Sequence, residues 1–143
     1  MKVRHVGITV TDMEESLKFY KDLFGFSVIK EMSEHGKHID NFSGLDGISV
    51  RTVKMAAQDG SMIELLQYES HPKANDRNIF EDITYIGCSH FALTVSDLPS
   101  LYSELLKSGI TVLCSPQNSP DGKVRLTFCR DPDGTLIELV EEL

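Results

Sequence analysis

The sequence repeats its own hairpin. Residues 50–65 read VRTVKMAAQDGSMIEL and residues 124–139 read VRLTFCRDPDGTLIEL, so that Val-Arg, Asp-Gly and Ile-Glu-Leu fall at identical offsets. Asp-Gly between two apolar runs is a strong signal for a β-hairpin. A carboxylate inside an apolar strand is costly to bury without a partner, and both copies hold one, Glu64 and Glu138. The repeat therefore predicts the fold and raises the question of what the two glutamates meet.

A second pair of similar segments precedes these hairpins. Residues 3–29 read VRHVGITVTDMEESLKFYKDLFGFSVI, and residues 88–113 read CSHFALTVSDLPSLYSELLKSGITVL. Each begins with a strand-like alternation that contains one His, followed by a Thr/Ser-Asp turn and an amphipathic helix, the first over residues 13–24. The expected N-caps and C-caps of the two helices are Asp12 with Gly25 and Asp97 with Gly109. Each half therefore predicts a strand, a helix and about three further strands.

The repeat also predicts the domain organisation. We expect one domain over residues 1–143, in which module 1 (1–68) is joined to module 2 (86–143) by a linker (69–85). The linker is polar and contains Pro72, as is typical of a surface loop. The length of the whole chain, 143 residues, suits a single domain made of two small halves.

Composition excludes several classes of function. The net charge of −8, without a run of basic residues, argues against a nucleic-acid partner. No stretch approaches the ~20 apolar residues of a membrane span, and the first residues lack the pattern of a signal peptide. The three cysteines, Cys88, Cys114 and Cys129, form no CxxC pair, and their odd number does not indicate a disulfide framework. We therefore expect a soluble, reduced, cytoplasmic protein whose partner is a small molecule.

Strand parity groups four ionisable residues. His5 and His90 lie on the strand faces opposite the apolar residues that pack under each helix, and Glu64 and Glu138 lie opposite the Ile and Leu that flank them. A lone His or Glu on a strand is usually a half-exposed polar residue, but recurrence in a repeat favours a shared site. Imidazole nitrogen and carboxylate oxygen both bind divalent metals, and two carboxylates balance a dication. We predict a metal site made of His5, Glu64, His90 and Glu138.

These segments resemble the vicinal oxygen chelate superfamily, also called the glyoxalase/bleomycin-resistance/dioxygenase proteins. The similarity covers almost the whole chain and is clearest in HVGITVTDMEESLKFYKDLFGF, SHFALTVSDL and DPDGTLIELVEEL. It implies an α+β fold in which two βαβββ modules form an open, U-shaped sheet around a metal cavity. It also implies that the four residues above are the metal ligands, and that the protein is a homodimer.

The order His-Glu-His-Glu is similar to that of the bacterial lactoylglutathione lyases. This resemblance implies one divalent metal ion, Ni, Co, Zn or Mn, that chelates neighbouring oxygens of a small substrate and stabilises an enediolate. A glutamate ligand then moves a proton between carbons, by combined Lewis-acid and general-base catalysis. Glu64 and Glu138 are both candidates for this catalytic base. We therefore predict a metal-dependent lyase or isomerase of the glyoxalase type.

Other relatives suggest alternatives. The stretch after Glu64, ELLQYESHP, differs from the Leu-Thr-x-Asn of many lactoylglutathione lyases and resembles methylmalonyl-CoA epimerases, although these commonly have Gln in place of this Glu. An Fe(II) extradiol-type dioxygenase would use His5, His90 and Glu138, leaving Glu64 without a role. A metal-free binding protein of the drug-resistance type is a third alternative, but such proteins typically lack the full quartet.

Several other residues have two interpretations each. Arg51 and its repeat mate Arg125 would either bind a substrate carboxylate or phosphate, or form surface ion pairs on adjacent strands, which we favour. His38 would be a pocket acid or base, or an exposed residue. Tyr68 and Tyr85 flank the linker and would cover the site or pack in the core.

Overall fold

Two four-stranded mixed sheets with few helices make up the fold, in agreement with the expected α+β, glyoxalase-like class. The computed structural model describes residues 2–71, 83–84 and 86–143. The chain divides into two units, Met1–Asn75 and Asp76–Leu143. Most of the predicted linker, including Pro72 and Tyr85, lies outside the described residues.

The first unit has the predicted βαβββ order with one helix added. Its elements are β1 (Val6–Thr9), α1 (Met13–Lys18), β2 (Ser27–His35), α2 (Lys37–Ser43), β3 (Ser49–Ala56) and β4 (Met62–Tyr68). The strands lie in the order β1-β4-β3-β2, with β1 parallel to β4 and the other neighbours antiparallel. The helix α2 was not predicted, because seven residues between two glycines give too short a pattern to show a period of 3.6.

The second unit repeats this topology in a reduced form. Its elements are β5 (Phe91–Thr94), α3 (Leu98–Lys107), β6 (Gln117–Asn118), β7 (Val124–Arg130) and β8 (Leu136–Glu142). The strands lie in the order β5-β8-β7-β6, with β5 parallel to β8. The predicted three strands are present, but β6 has only two residues, since Pro116 and Pro120 flank it and cannot donate to a ladder. Among the described helices, none has the length and hydropathy of a membrane span.

The predicted helix caps are confirmed in both units. The backbone N–H of Glu15 donates to Asp12 Oδ1 at 3.0 Å, and that of Ser100 donates to Asp97 Oδ1 at the same distance. After Lys18 the first helix continues as a π-helical turn over Phe19–Leu23. Each helix is then followed by a glycine at positive φ, which only glycine adopts without strain: Gly25 at +69° and Gly109 at +72°.

A side chain from β4 fixes the entry into α1. Gln67 Oε1 accepts a hydrogen bond from the backbone N–H of Met13, and Gln67 Nε2 donates to the carbonyl of Thr11, both at 3.2 Å. The first amides of a helix have no partner inside the helix, so this contact satisfies one of them. Gln67, in the stretch that follows Glu64, thus has a structural role at the start of α1.

The two Asp-Gly turns form hairpins as predicted. The turn between β3 and β4 has Gly60 at φ +86°, and the turn between β7 and β8 has Gly134 at φ +94°. Asp59 accepts hydrogen bonds from both the N–H and the hydroxyl of Ser61. These bonds hold the pKa of Asp59 below its usual range.

Strict alternation in β4 and β8 separates the core from the candidate site. Ile63 and Leu65 are buried, whereas Glu64 between them is half-buried on the other face, and Glu138 is placed in the same way in β8. The face that includes Val53 and Leu65 packs with α1 and its π-helical turn. The buried hydrophobic residues of this core are Ile8, Val10, Met13, Phe19, Tyr20, Phe26, Val53, Met55, Ile63 and Leu65.

Replacing Leu65 with Ala should lower the free energy of unfolding by about 2–5 kcal/mol, because the side chain is fully buried and its loss leaves a cavity. Urea denaturation followed by circular dichroism measures the difference. The control is Val28→Ala in β2, where 47% of the side chain is exposed and we expect a change within about 0.5 kcal/mol. Equal effects of the two substitutions would contradict the assignment of Leu65 to the core.

Asp40 connects α2 to Ile48, the residue that directly precedes β3. Its side chain is buried, and Oδ1 accepts a hydrogen bond from the backbone N–H of Ile48 at 3.0 Å. The ammonium of Lys37 lies 3.7 Å from Oδ2. The bond from Ile48 is the main reason that the pKa of Asp40 lies below its usual value.

This lowered pKa predicts an acid-sensitive contribution to stability. A carboxylate whose pKa is lower in the folded state stabilises the fold above its unfolded pKa, about 3.9 for Asp, and loses that effect as the pH falls through the folded pKa. At pH 7 we therefore expect Asp40→Asn to have a lower melting temperature than the wild type. The difference should close below about pH 4. A difference that stays constant from pH 7 to pH 2 would show that the charge of Asp40 has no part in it.

Candidate metal centre

In the first unit, His5 and Glu64 meet on the sheet face opposite α1. The parallel pairing of β1 with β4 puts Gly7 beside Glu64, and His5 precedes Gly7 by one period of the strand. His5 Nε2 lies 3.0 Å from Glu64 Oε2, with 30% and 13% of the two side chains exposed. His5 Nδ1 is buried without a hydrogen-bond partner among the described residues. His5 and Glu64, two of the four predicted ligands, therefore lie in direct contact.

Lys54 is the third member of this group. It lies directly across from Glu64 in the antiparallel pairing of β3 with β4. Its Nζ is 3.4 Å from Glu64 Oε1, so that the two carboxylate oxygens face different partners. The half-buried Glu64 thus has a counter-charge from its own chain, which answers part of the question that the sequence raised.

The second unit holds the equivalent pair, with a different neighbour. His90 Nε2 lies 3.4 Å from Glu138 Oε2, and Ala92 pairs with Glu138 as Gly7 does with Glu64. The residue across from Glu138 is Phe128, whose ring meets the His90 ring edge to face at 5.4 Å. Ser89 Oγ is 2.9 Å from His90 Nδ1. Glu138 therefore has an aromatic ring where Glu64 has an ammonium group.

The structure thus pairs the four predicted ligands two by two: His5 with Glu64 in the first unit, and His90 with Glu138 in the second. Among the described residues, no group of three or more His, Cys, Asp or Glu side chains is arranged to hold a metal ion. The donor chemistry of each pair nevertheless fits a divalent metal, since an imidazole nitrogen and a carboxylate oxygen lie side by side on one face.

Arg51 lies on the face of α1, away from His5 and Glu64. Its guanidinium donates to Glu14 of α1 and to Glu31 of β2, both at 2.7 Å, and these bonds raise its pKa. Arg125 similarly contacts Glu141, at 3.4 Å. The interpretation as surface ion pairs is confirmed, and the one as a substrate carboxylate clamp is not supported by this geometry.

The remaining polar candidates fall in different places. His38 lies on α2, exposed and 6.1 Å from the ring of Phe42, so it is the exposed residue that we favoured. Tyr68 packs against the cluster formed by Ile39, Ile48 and Val50.

The sequence analysis did not identify Lys54 as a neighbour of Glu64. A signal was present, because the ungapped repeat aligns Lys54 with Phe128 and the Asp-Gly turn fixes the register of the hairpin. Counting back across that turn from Glu64 identifies Lys54 as its cross-strand neighbour. Only the structure shows that its side chain reaches the carboxylate.

The cysteines differ in their environments. Cys88 and Cys114 are exposed, whereas Cys129 is fully buried in β7. Burial, together with the nearby charge of Asp131, raises the pKa of Cys129 to about 12. Since the thiolate is the reactive form, Cys129 is inert in the folded protein.

We therefore expect Ellman's reagent to modify two thiols per native chain at pH 8, and a third only after denaturation. The control is Cys129→Ala, which should give the same native count and lose the thiol that appears on denaturation. Rapid reaction of all three thiols in the native protein would contradict the burial of Cys129.

Comparison with known proteins gives a consistent match along the chain. A family model described as the Glyoxalase/Bleomycin resistance protein/Dioxygenase superfamily matches residues 2–139. A probable lactoylglutathione lyase of Synechocystis is 28% identical over 142 residues, which is 99% of this chain and 95% of that protein. The lactoylglutathione lyase of Schizosaccharomyces pombe is 27% identical over 153 residues, but the chain spans only 47% of its length.

The solved structures give the same picture of the fold. A glyoxalase family protein from Bacillus cereus superimposes with a TM-score of 0.90 at 25% identity, covering 100% of this chain and 95% of that one.

Proposed function

Since the chain belongs to the glyoxalase/bleomycin resistance protein/dioxygenase superfamily, we propose that it is a divalent-metal-dependent lyase or isomerase of the glyoxalase type. Its substrate is a small molecule with neighbouring oxygens, and its reaction moves a proton at the carbon beside a carbonyl. The observation that carries the proposal is the recurrence of one His–Glu pair at the same register position in both units.

In this proposal His5, Glu64, His90 and Glu138 hold one divalent metal ion, Ni, Co, Zn or Mn. The bound ion supplies Lewis acidity, which lowers the energy of the negative charge that develops on the substrate oxygens. The two glutamates lie within β4 and β8 and each histidine directly precedes a strand, β1 or β5, and such rigid placement is what a reactive geometry requires.

One glutamate also acts as the general base. Glu64 Oε1 and Oε2 each have a partner, Lys54 and His5, which hold its carboxylate in place. The contact of Glu138 with His90 is longer, at 3.4 Å, and its cross-strand neighbour is the uncharged Phe128. Glu138 therefore has fewer ionic contacts than Glu64, which supports Glu138 as the base and Glu64 as the fixed ligand.

We also propose that the protein is a cytoplasmic homodimer, as the composition and the family resemblance lead us to expect.

Elemental analysis of protein purified without an affinity metal column or chelator tests the metal site. We expect nickel, cobalt, manganese or zinc near one per chain in the wild type, and loss of it in the double variant His5→Ala/Glu138→Ala, which lacks one ligand of each pair. The control His38→Ala/Glu142→Ala removes the same residue types at exposed positions and should keep the metal.

The reaction is tested on the same samples. Deuterium exchange from solvent into hemithioacetals or thioesters, absent in the double variant, would support proton transfer. Iron at the site together with oxygen consumption on catechols would favour the dioxygenase instead. Failure to bind any metal after reconstitution would overturn the proposal in favour of a metal-free binding protein.

A further inference from the structure

The first unit contains a cavity of about 270 Å³ between α2 and the sheet. It opens beside Glu64, on the sheet face opposite α1, and lies within this unit alone. Side chains of α2 form one wall and side chains of β2, β3 and β4 form the other. The lining residues used below are Ile39, Phe42, Val50, Thr52, Lys54, Glu64, Leu66 and Tyr68.

One end of the cavity is apolar. Ile39, Ile48 and Val50 are buried together, and the half-buried Leu66 and Tyr68 pack against them. Phe42 of α2 also lines the cavity although most of its ring is exposed. An alkyl or aryl group placed here would contact hydrocarbon on both walls.

The floor of the cavity holds a polar group without a partner. The side chain of Thr52 is 3% exposed, and its Oγ1 has no hydrogen-bond partner among the described residues. A buried hydroxyl without a hydrogen bond costs free energy, so such groups are rare and usually mark a site that something else fills. For Thr52, the missing partner must come from the contents of the cavity.

The other end of the cavity holds the ammonium group of Lys54, the one cationic side chain among the described lining residues. Lys54 lies two residues from Thr52 on the same face of β3 and pairs with Glu64, whereas Glu34, which also lines the cavity, lies across from Val50, toward the apolar end. An ammonium group has three N–H donors, and the ion pair with Glu64 uses one, which leaves two for a ligand.

We propose that this cavity binds a small organic carboxylate with an apolar body. The carboxylate accepts hydrogen bonds from the ammonium of Lys54 and the hydroxyl of Thr52, whose Cα atoms are about 7 Å apart along one strand. The body lies between Ile39, Val50 and Leu66. A cavity of about 270 Å³ suits a short aliphatic or aromatic acid.

If the bound carboxylate is the substrate, this inference names the substrate class of the proposed enzyme, and that part of it rests on the proposed function. Binding itself needs no metal, since Lys54 and Thr52 belong to the chain. The two proposals are therefore separable by experiment.

Isothermal titration of the full chain, as purified and after treatment with EDTA, tests the site with hexanoate and hexan-1-ol as matched probes. We expect hexanoate to bind with a Kd on the order of a millimolar or below, and about tenfold more tightly than the alcohol, in both preparations. Equal affinity for the two probes, or no saturable binding of hexanoate, would overturn the proposal.

Three variants locate the contacts. Lys54→Met keeps the chain length and should weaken hexanoate about tenfold while leaving the alcohol within about twofold. Thr52→Val keeps the shape and should weaken hexanoate severalfold. The control Lys18→Met removes an exposed lysine of α1, on the other face of the sheet, and should change neither probe. Retention of the hexanoate preference in Lys54→Met would place the carboxylate elsewhere and refute this assignment.

Glu64→Gln distinguishes this site from the proposed metal site. The substitution removes the negative charge that occupies Lys54, so hexanoate should bind more tightly to it than to the wild type. The same substitution should weaken metal binding, because Glu64 is a proposed ligand. Tighter hexanoate binding with unchanged metal content would support the cavity and count against the metal site, whereas weaker hexanoate binding with loss of metal would overturn the cavity assignment and support the metal site.

Discussion

The two-residue period of β4 and β8 is the constraint on which the other features depend. Ile63 and Leu65 must face α1 to form the core, and alternation then places Glu64 on the opposite face. A slip of one residue would bury the carboxylate under the helix and expose two apolar side chains. The same strand register therefore fixes both the core of each unit and the position of its glutamate. The parallel pairing with β1 or β5 then places the histidine beside that glutamate.

The two units obey this constraint equally but surround their glutamates differently. Lys54 lies across from Glu64, whereas Phe128 lies across from Glu138. The first unit also has the nine-residue β2 where the second has the two-residue β6, and in the first unit α2 closes a cavity beside Glu64. The symmetry of the repeat thus holds for the His–Glu pairs and is lost in the residues across from the two glutamates.

The sequence was most informative where a short-range rule applied. Asp12, Asp97, Gly25 and Gly109 cap their helices as predicted because capping depends on a few adjacent residues. The faces of the strands followed from parity alone. Neither α2 nor the cavity beneath it was predicted, since its formation depends on tertiary contacts such as that of Asp40 with Ile48.

The ion pair between Lys54 and Glu64 links the two proposals made above. If Glu64 binds a metal ion, its charge is neutralised there, and Lys54 attracts a carboxylate more strongly. If a carboxylate binds Lys54 first, it competes with Glu64 for the ammonium group and so favours binding of the metal ion by Glu64. The free energy of weakening the ion pair is then shared by the two binding events, so each ligand would raise the affinity for the other by the same factor. Under the two proposals, a lysine across from only one of the two glutamates would make substrate charge and metal occupancy reinforce each other, whereas Glu138, which lies across from the uncharged Phe128, would stay outside this coupling.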